Sequence, residues 1–170
     1  HMTAADARAR MAAQATRADR LAAADAVLDN SGAKEELRDA VDRLWKFRLA
    51  PFASNLGRHR LAPRTGGPVL APANQDWPAQ AARLIARLRA AAAGDILTLD
   101  HVGSTAVPGL PAKDILDLQL GVEDMAAAER IAPLLADAGF PAWPGIVSDN
   151  PKPSHPDPSS WPKRLHGNAD

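Results

Sequence analysis

Residues 95–122, "DILTLDHVGSTAVPGLPAKDILDLQLGV", constrain the fold more than any other stretch of the chain. Two short apolar runs flank a Gly-Ser pair and a Pro-Gly loop, which reads as strand, turn, strand. Successive strand side chains point to opposite faces. In the second run Leu116, Leu118, Leu120 and Val122 therefore share one face, the expected core face, while Ile115, Asp117 and Gln119 share the other. Asp117 and Gln119 then point together toward whatever the Gly-Ser turn faces. A turn of this kind presents backbone N–H groups, and the hydroxyls of Ser104 and Thr105 add donors, so the nest suits phosphate oxygens. Asp117 is the candidate ligand for a Mg²⁺ ion held against those phosphates. On residue types alone, a tight corner with a structural Asp is the favoured reading of the same pattern.

The preceding half reads differently. Residues 3–24 are rich in Ala, Arg and Asp and favour helix, as two helices over about 4–15 and 17–24, the second capped by Thr16 with Asp19 three residues on. Residues 25–32, "DAVLDNSG", read as a short strand and turn. From Lys34 the period becomes helical, with Leu37, Val41, Leu44 and Trp45 as the stripe. Pro51 is expected to kink or end that helix. The stretch 57–75 is rich in Pro and Gly and basic through Arg58, His59, Arg60 and Arg64, which reads as a flexible linker. Beyond it, Asp76 is the expected N-cap of a helix that buries Leu84, Ile85 and Leu88 and ends at Gly94. Residues 124–138 read as a helix kinked at Pro133, and the six prolines of 143–162 dictate loop.

Composition excludes several functions. Formal net charge is +0, so nothing draws the whole chain to nucleic acid or anionic lipid. With no cysteine there is neither a disulfide framework nor a thiolate metal site. No stretch is long and apolar enough to span a membrane as a helix. A cytoplasmic protein with no nucleic-acid or membrane partner is expected. Aromatics make up 4% of the residues, so the core rests on few large side chains. His1-Met2 reads as a cloning remnant, and the chain as a fragment of a longer protein.

Gly-Ser, twelve residues, then Asp-Leu-Gln-Leu resembles the nucleotidyltransferase superfamily signature. The fuller string "HVGSTAVPGLPAKDILDLQLGV", with "KRLHGNAD" at 163–170, is similar to the GrpB family within it. The resemblance implies a nucleotide site built from Gly103, Ser104, Thr105, Lys113 and Gln119, with Asp117 as metal ligand. Gln119 stands where the superfamily pattern has a second carboxylate, so a two-metal site would lack a ligand. The chain also stops where the family's sheet normally gains a further strand.

Residues 8–45, through "RMAAQ", Ala24-Asp25 and "VLDNSG", resemble the final third of dephospho-coenzyme A kinases, P-loop enzymes that phosphorylate the ribose 3′-hydroxyl of dephospho-CoA with ATP and Mg²⁺. Actinobacterial members of that family carry a GrpB-like domain at their C-terminus. The resemblance implies that Arg10 and Gln14 are remnants of the phosphate lid and that Asn30 and Gly32 lie on the adenine side. It also implies an upstream kinase core as partner, with ATP and dephospho-CoA as the parent's ligands. No G-x-x-x-x-G-K-[ST] occurs in the chain, so this fragment has no catalytic residue for the kinase reaction and is expected to be inactive alone. The expected organisation is a mostly helical kinase remnant (3–56), a linker (57–75) and a truncated GrpB-like domain (76–170). The fold class is α/β to α+β with a small mixed sheet. Two functions remain open for the GrpB-like part: a stabilising or regulatory module, or a nucleotide-binding or nucleotidyltransferase module of its own.

Three other groups are weaker candidates. His155, Asp157 and His166 suit metal in type, though solvated loop side chains are the better reading. Arg8, Arg10, Arg17 and Arg20 are better explained as a solvated helix face. The Arg58–Arg64 cluster is better explained as a basic linker than as a nucleic-acid contact.

Overall fold

The computed structural model describes residues 2–63, 67, 69–92 and 94–170. Helices α1 (Ala4–Ala12) and α2 (Arg17–Ala23) come first, and neither buries a residue. Each opens on a reciprocal cap. The Asp19 N–H donates to the Thr16 hydroxyl at 3.1 Å while the Asp19 carboxylate accepts the Thr16 N–H at 3.2 Å, and Thr3 with Asp6 repeats the arrangement. The strand expected at 25–32 is absent. Val27 and Leu28 are exposed in irregular backbone, and Asp29 turns the chain by accepting the Ser31 N–H at 2.9 Å. A strand needs a neighbour to take its N–H and C=O groups, and none of the described strands pairs with this segment.

Pro51 does not end the next helix. α3 (Lys34–Leu44) passes through a π turn, Trp45–Leu49, and continues as α4 (Ala50–Leu56). In that turn the Ala50 N–H reaches back five residues to the Trp45 carbonyl. Widening the helix there relieves the clash between a proline ring and the carbonyl four residues earlier.

The second half is built on two antiparallel strand pairs: β1 (Leu70–Ala71) with β3 (Ala112–Lys113), and β2 (Thr98–Val102) with β4 (Asp117–Gly121). The expected mixed sheet is thus corrected: both pairs described are antiparallel. A parallel pair needs a crossover, usually helical, and residues 103–116 supply only a 3₁₀ turn, a Pro-Gly loop and β3. Helices α5 (Trp77–Ala91) and α6 (Met125–Asp137) supply the rest of the core. Leu88, Leu99, Ile131, Leu135 and Phe140 are its buried centre, with Leu84, Ile85, Leu118, Leu120 and Val122 packed against it. The expected core face of β4 is therefore the observed one. Asp76 does not cap α5 through its side chain; Asn74 Oδ1 instead accepts the Asp76 N–H at 2.9 Å. Asp124 does cap α6, taking the Ala127 N–H at 2.7 Å, and Pro133 lies inside that helix. After α6, Gly139 (φ +95°) turns the chain so that the Phe140 N–H bonds the Leu135 carbonyl at 2.8 Å and its ring re-enters the core. Residues 143–162 are loop with isolated bridges and one 3₁₀ turn. Ile131 is 2% exposed, and Ile131→Ala is expected to cost about 2–5 kcal/mol in chemical denaturation.

The two halves meet along α4 and the C-terminal segment. Arg48 grips the Asp170 carboxylate through Nε at 2.9 Å and Nη2 at 2.6 Å, and its Nη1 donates to the Asp25 carbonyl at 2.6 Å. The Asp170 contact holds the Arg48 guanidinium above its ordinary pKa. Asp25 in turn pairs with Arg87 at 2.9 Å and Arg83 at 3.6 Å, both on α5. Asn55 Nδ2 donates to the Ala169 carbonyl at 3.0 Å, and the Ala62 N–H donates to the Asn168 carbonyl at 3.0 Å. Part of the expected linker is thus engaged: Ala62 bonds the C-terminal segment, and Leu70–Ala71 form β1. Arg64, counted in its basic cluster, lies outside the described residues.

Candidate functional site

The site begins where β2 ends. Gly103 adopts φ +75° and ψ −167°, backbone that only glycine enters readily. A β-carbon there would lie 2.7 Å from Asp117 Oδ2 and 3.2 Å from Asp117 Cβ. Glycine therefore serves twice, bending the chain out of β2 and leaving space for the Asp117 carboxylate against the turn. Ser104, exposed, opens the 3₁₀ turn Ser104–Ala106. Thr105 points inward and is 3% exposed. Its hydroxyl donates to the Ile115 carbonyl at 3.1 Å and faces His101 Nε2 at 3.0 Å. A hydroxyl whose proton is committed to a carbonyl meets the imidazole as an acceptor, which places a proton on Nε2. The expected phosphate donor Thr105 is in this structure a brace: it ties the turn to the segment just before β4 and so fixes Asp117 relative to Gly103. Thr105→Val leaves the Ile115 carbonyl and His101 Nε2 without this partner and is expected to cost about 1–3 kcal/mol in urea unfolding.

Asp117 and Gln119 are exposed on the face of β4 away from the core, as the alternation requires. Asp100 joins them, a residue that sequence reasoning missed. In the register Asp100 faces Gln119 and Val102 faces Asp117, and directly paired residues share a sheet face. Asp100 is exposed and diagonal to Asp117, a separation of about 7–8 Å in antiparallel pairs. The signal lay in "TLDHV", whose alternation sets Asp100 opposite to Leu99, but it needs the strand register to be read. Lys113 is exposed on β3, on the other strand pair. Asp114 follows it and accepts the indole N–H of buried Trp77 at 2.7 Å. Among the described residues no three His, Asp or Glu side chains gather in a way that would hold a metal ion. Any cation at Asp117 would rest on that carboxylate with help from Asp100 and the Gln119 amide.

The remaining candidates scatter. Arg10 sits in the last turn of α1 and Gln14 in the link to α2, both exposed. Asn30 lines an open depression with Arg17, Leu21 and Leu28, which Arg10, Gln14 and Gly32 do not line. Of the loop histidines, His155 Nδ1 lies 3.1 Å from the Ser154 hydroxyl and His166 Nδ1 lies 2.8 Å from the Phe140 carbonyl. The Ser159 hydroxyl donates to the Asp157 carboxylate at 2.6 Å and the Ser159 N–H at 2.9 Å, and together they hold its pKa below the ordinary range. These three side chains have separate local partners.

Comparison with known proteins matches the sequence to a family. Over 99% of its length the chain is 44% identical to a dephospho-CoA kinase of Mycolicibacterium paratuberculosis and 41% identical to one of Mycobacterium tuberculosis. The chain spans 44% of the length of these relatives, matching their C-terminal part. A UPF0157 protein of Halalkalibacterium halodurans is 36% identical over 80 residues, 47% of this chain and 41% of that protein. The profile described as GrpB protein matches residues 68–170, which include both strand pairs, the Gly-Ser turn and Asp117. The chain belongs to the GrpB family.

Proposed function

We propose that this chain is the C-terminal part of a dephospho-CoA kinase, the ATP- and Mg²⁺-dependent enzyme that phosphorylates the 3′-hydroxyl of dephospho-CoA, and that its GrpB part holds the end of the kinase domain in place. The interface centred on Arg48 carries the reading. One guanidinium joins the C-terminal segment to the Asp25 carbonyl, and Asp25 joins α2 to α5. The segment similar to the kinase is thereby fastened to the GrpB part by charged and backbone hydrogen bonds, as a stabilising module would require. The chain carries no P-loop, so Mg-ATP and dephospho-CoA incubated with it should yield no product above a protein-free blank. The stabilising role is tested in the Mycolicibacterium relative by deleting the residues that match 68–170. The expected result is a lower midpoint of thermal unfolding. Unchanged stability and unchanged kinetics after the deletion would overturn the reading.

A second reading is favoured by one observation, the close approach of the Asp117 carboxylate to Gly103 with Asp100 on the same sheet face. Here the GrpB part binds a nucleotide: Ser104 and the turn amides contact phosphates, and Asp117 and Asp100 attract a Mg²⁺ ion. Asp117→Asn is then expected to weaken ATP binding and make it nearly indifferent to Mg²⁺, while Gln119→Glu strengthens the metal dependence. Titration of ATP into the three proteins, with and without Mg²⁺, checks this, and absence of binding at millimolar concentration would end the second reading.

A further inference from the structure

A cleft of about 390 Å³ is lined in part by Thr105 and Ala106 of the Ser104–Ala106 turn. Gln75, Trp77 and Pro78 line it together with Ala106, Val107 and Gly109. Its volume falls within the range of about 300–1,000 Å³ usual for small-molecule sites. No Asp, Glu, Lys or Arg lines it. Such a lining suits a neutral, flat group and gives a phosphate nothing to replace its hydration. The polar groups at hand are amides: Gln75 is exposed, and Asn74 keeps its NH₂ group while its oxygen accepts from Asp76. A side-chain amide offers both a donor and an acceptor, which is what the edge of a heteroaromatic ring requires.

We propose that this cleft binds the planar heteroaromatic base of the nucleotide whose phosphates the Gly103-Ser104 turn holds. The proposal rests on the second reading above. Continuity of the backbone supports it: Ser104 opens the turn, and the next two residues, Thr105 and Ala106, line the cleft. One 3₁₀ turn rises about 6 Å, so the charged and uncharged positions lie a short step apart. The Thr105 brace to Ile115 and His101 fixes both at once.

The test uses three probes by titration calorimetry: ATP, adenosine, which has a base and no phosphate, and inorganic triphosphate, which has phosphates and no base. Val107→Trp fills the cleft from a half-exposed rim position, 50% exposed, where a larger side chain leaves the core alone. It is expected to weaken ATP at least tenfold, abolish adenosine binding and leave triphosphate unchanged. Gln75→Ala, an independent exposed position, should weaken adenosine several-fold. Ser104→Ala should weaken triphosphate and ATP and spare adenosine. Adenosine binding that Val107→Trp removes, with no triphosphate binding, supports the cleft and ends the phosphate reading. Triphosphate binding with ATP insensitive to both cleft substitutions overturns the base subsite and leaves the phosphate reading standing. Failure of both ATP and adenosine to bind at millimolar concentration overturns the proposal.

Discussion

Gly103→Ala should destabilise the chain by about 2–4 kcal/mol, well beyond an ordinary surface change. Two costs combine. The backbone at φ +75° and ψ −167° lies in a region nearly closed to residues with a β-carbon. The new methyl would also sit 2.7 Å from Asp117 Oδ2, 3.2 Å from its Cβ and 3.4 Å from its Cγ. Rotating the carboxylate alone does not clear the Cβ contact, so β4 or the turn must move. Gly109 is the control. It also has positive φ, +76°, but a β-carbon there meets nothing within 4 Å. Gly109→Ala should therefore cost the backbone strain only, about 1–2 kcal/mol. Urea unfolding of the two variants measures the difference. Equal losses would mean that the Asp117 approach to the turn is not what requires glycine at 103.

Arg48→Met should lower the midpoint of thermal unfolding by about 2–8 °C, from a loss of about 1–2 kcal/mol. Methionine keeps most of the aliphatic stem and removes every donor. It leaves Asp170 without its charged partner and the Asp25 carbonyl without the Nη1 bond. The side chains at the pair are 39% and 23% exposed, so water recovers part of the lost interaction and the cost stays below that of a buried pair. Asp170→Asn should produce a smaller loss, because the amide still accepts one hydrogen bond. A midpoint unchanged by Arg48→Met would show that the contact contributes nothing to holding the halves together.

The strands and the core face of β4 were legible in the sequence because burial imposes a period: Leu118, Leu120 and Val122 alternate with Asp117 and Gln119 whatever the topology. The Thr16–Asp19 cap was legible because it is local. What was not legible depended on a pairing partner or on backbone detail that composition does not show. "VLDN" has strand composition, but a strand forms only with a partner, and the chain offers it none among the described residues. Pro51 signals a break, yet one π turn absorbs it. Asp100 escaped notice because its place beside Gln119 depends on a register set across residues 103–116, a connection too long for turn chemistry to fix. Thr105 was expected, with Ser104, to offer its hydroxyl to a phosphate. A 3₁₀ turn sends adjacent side chains in different directions, and Thr105 turns inward to His101 and the Ile115 carbonyl. The basic stretch after Gly57 reads as linker because Pro and Gly dominate it. Its hydrogen bond from Ala62 to Asn168 is made by backbone, which leaves no trace in side-chain composition.

Native-state hydrogen exchange of α4 tests most directly the proposal that the GrpB part holds the preceding helical segment in place. Helix α4 ends the helical run 34–56 and has no buried residue of its own, and the end of a helix frays in water unless tertiary contacts hold it. If the contacts from Arg48, Asn55 and Ala62 fasten it to the C-terminal segment, the amides of residues 53–56 should open only with the core. Their opening free energy should then approach that of Leu99 and Leu120 in β2 and β4. Amides of α4 exchanging at the rate of an unstructured peptide, while β2 and β4 stay protected, would contradict the account.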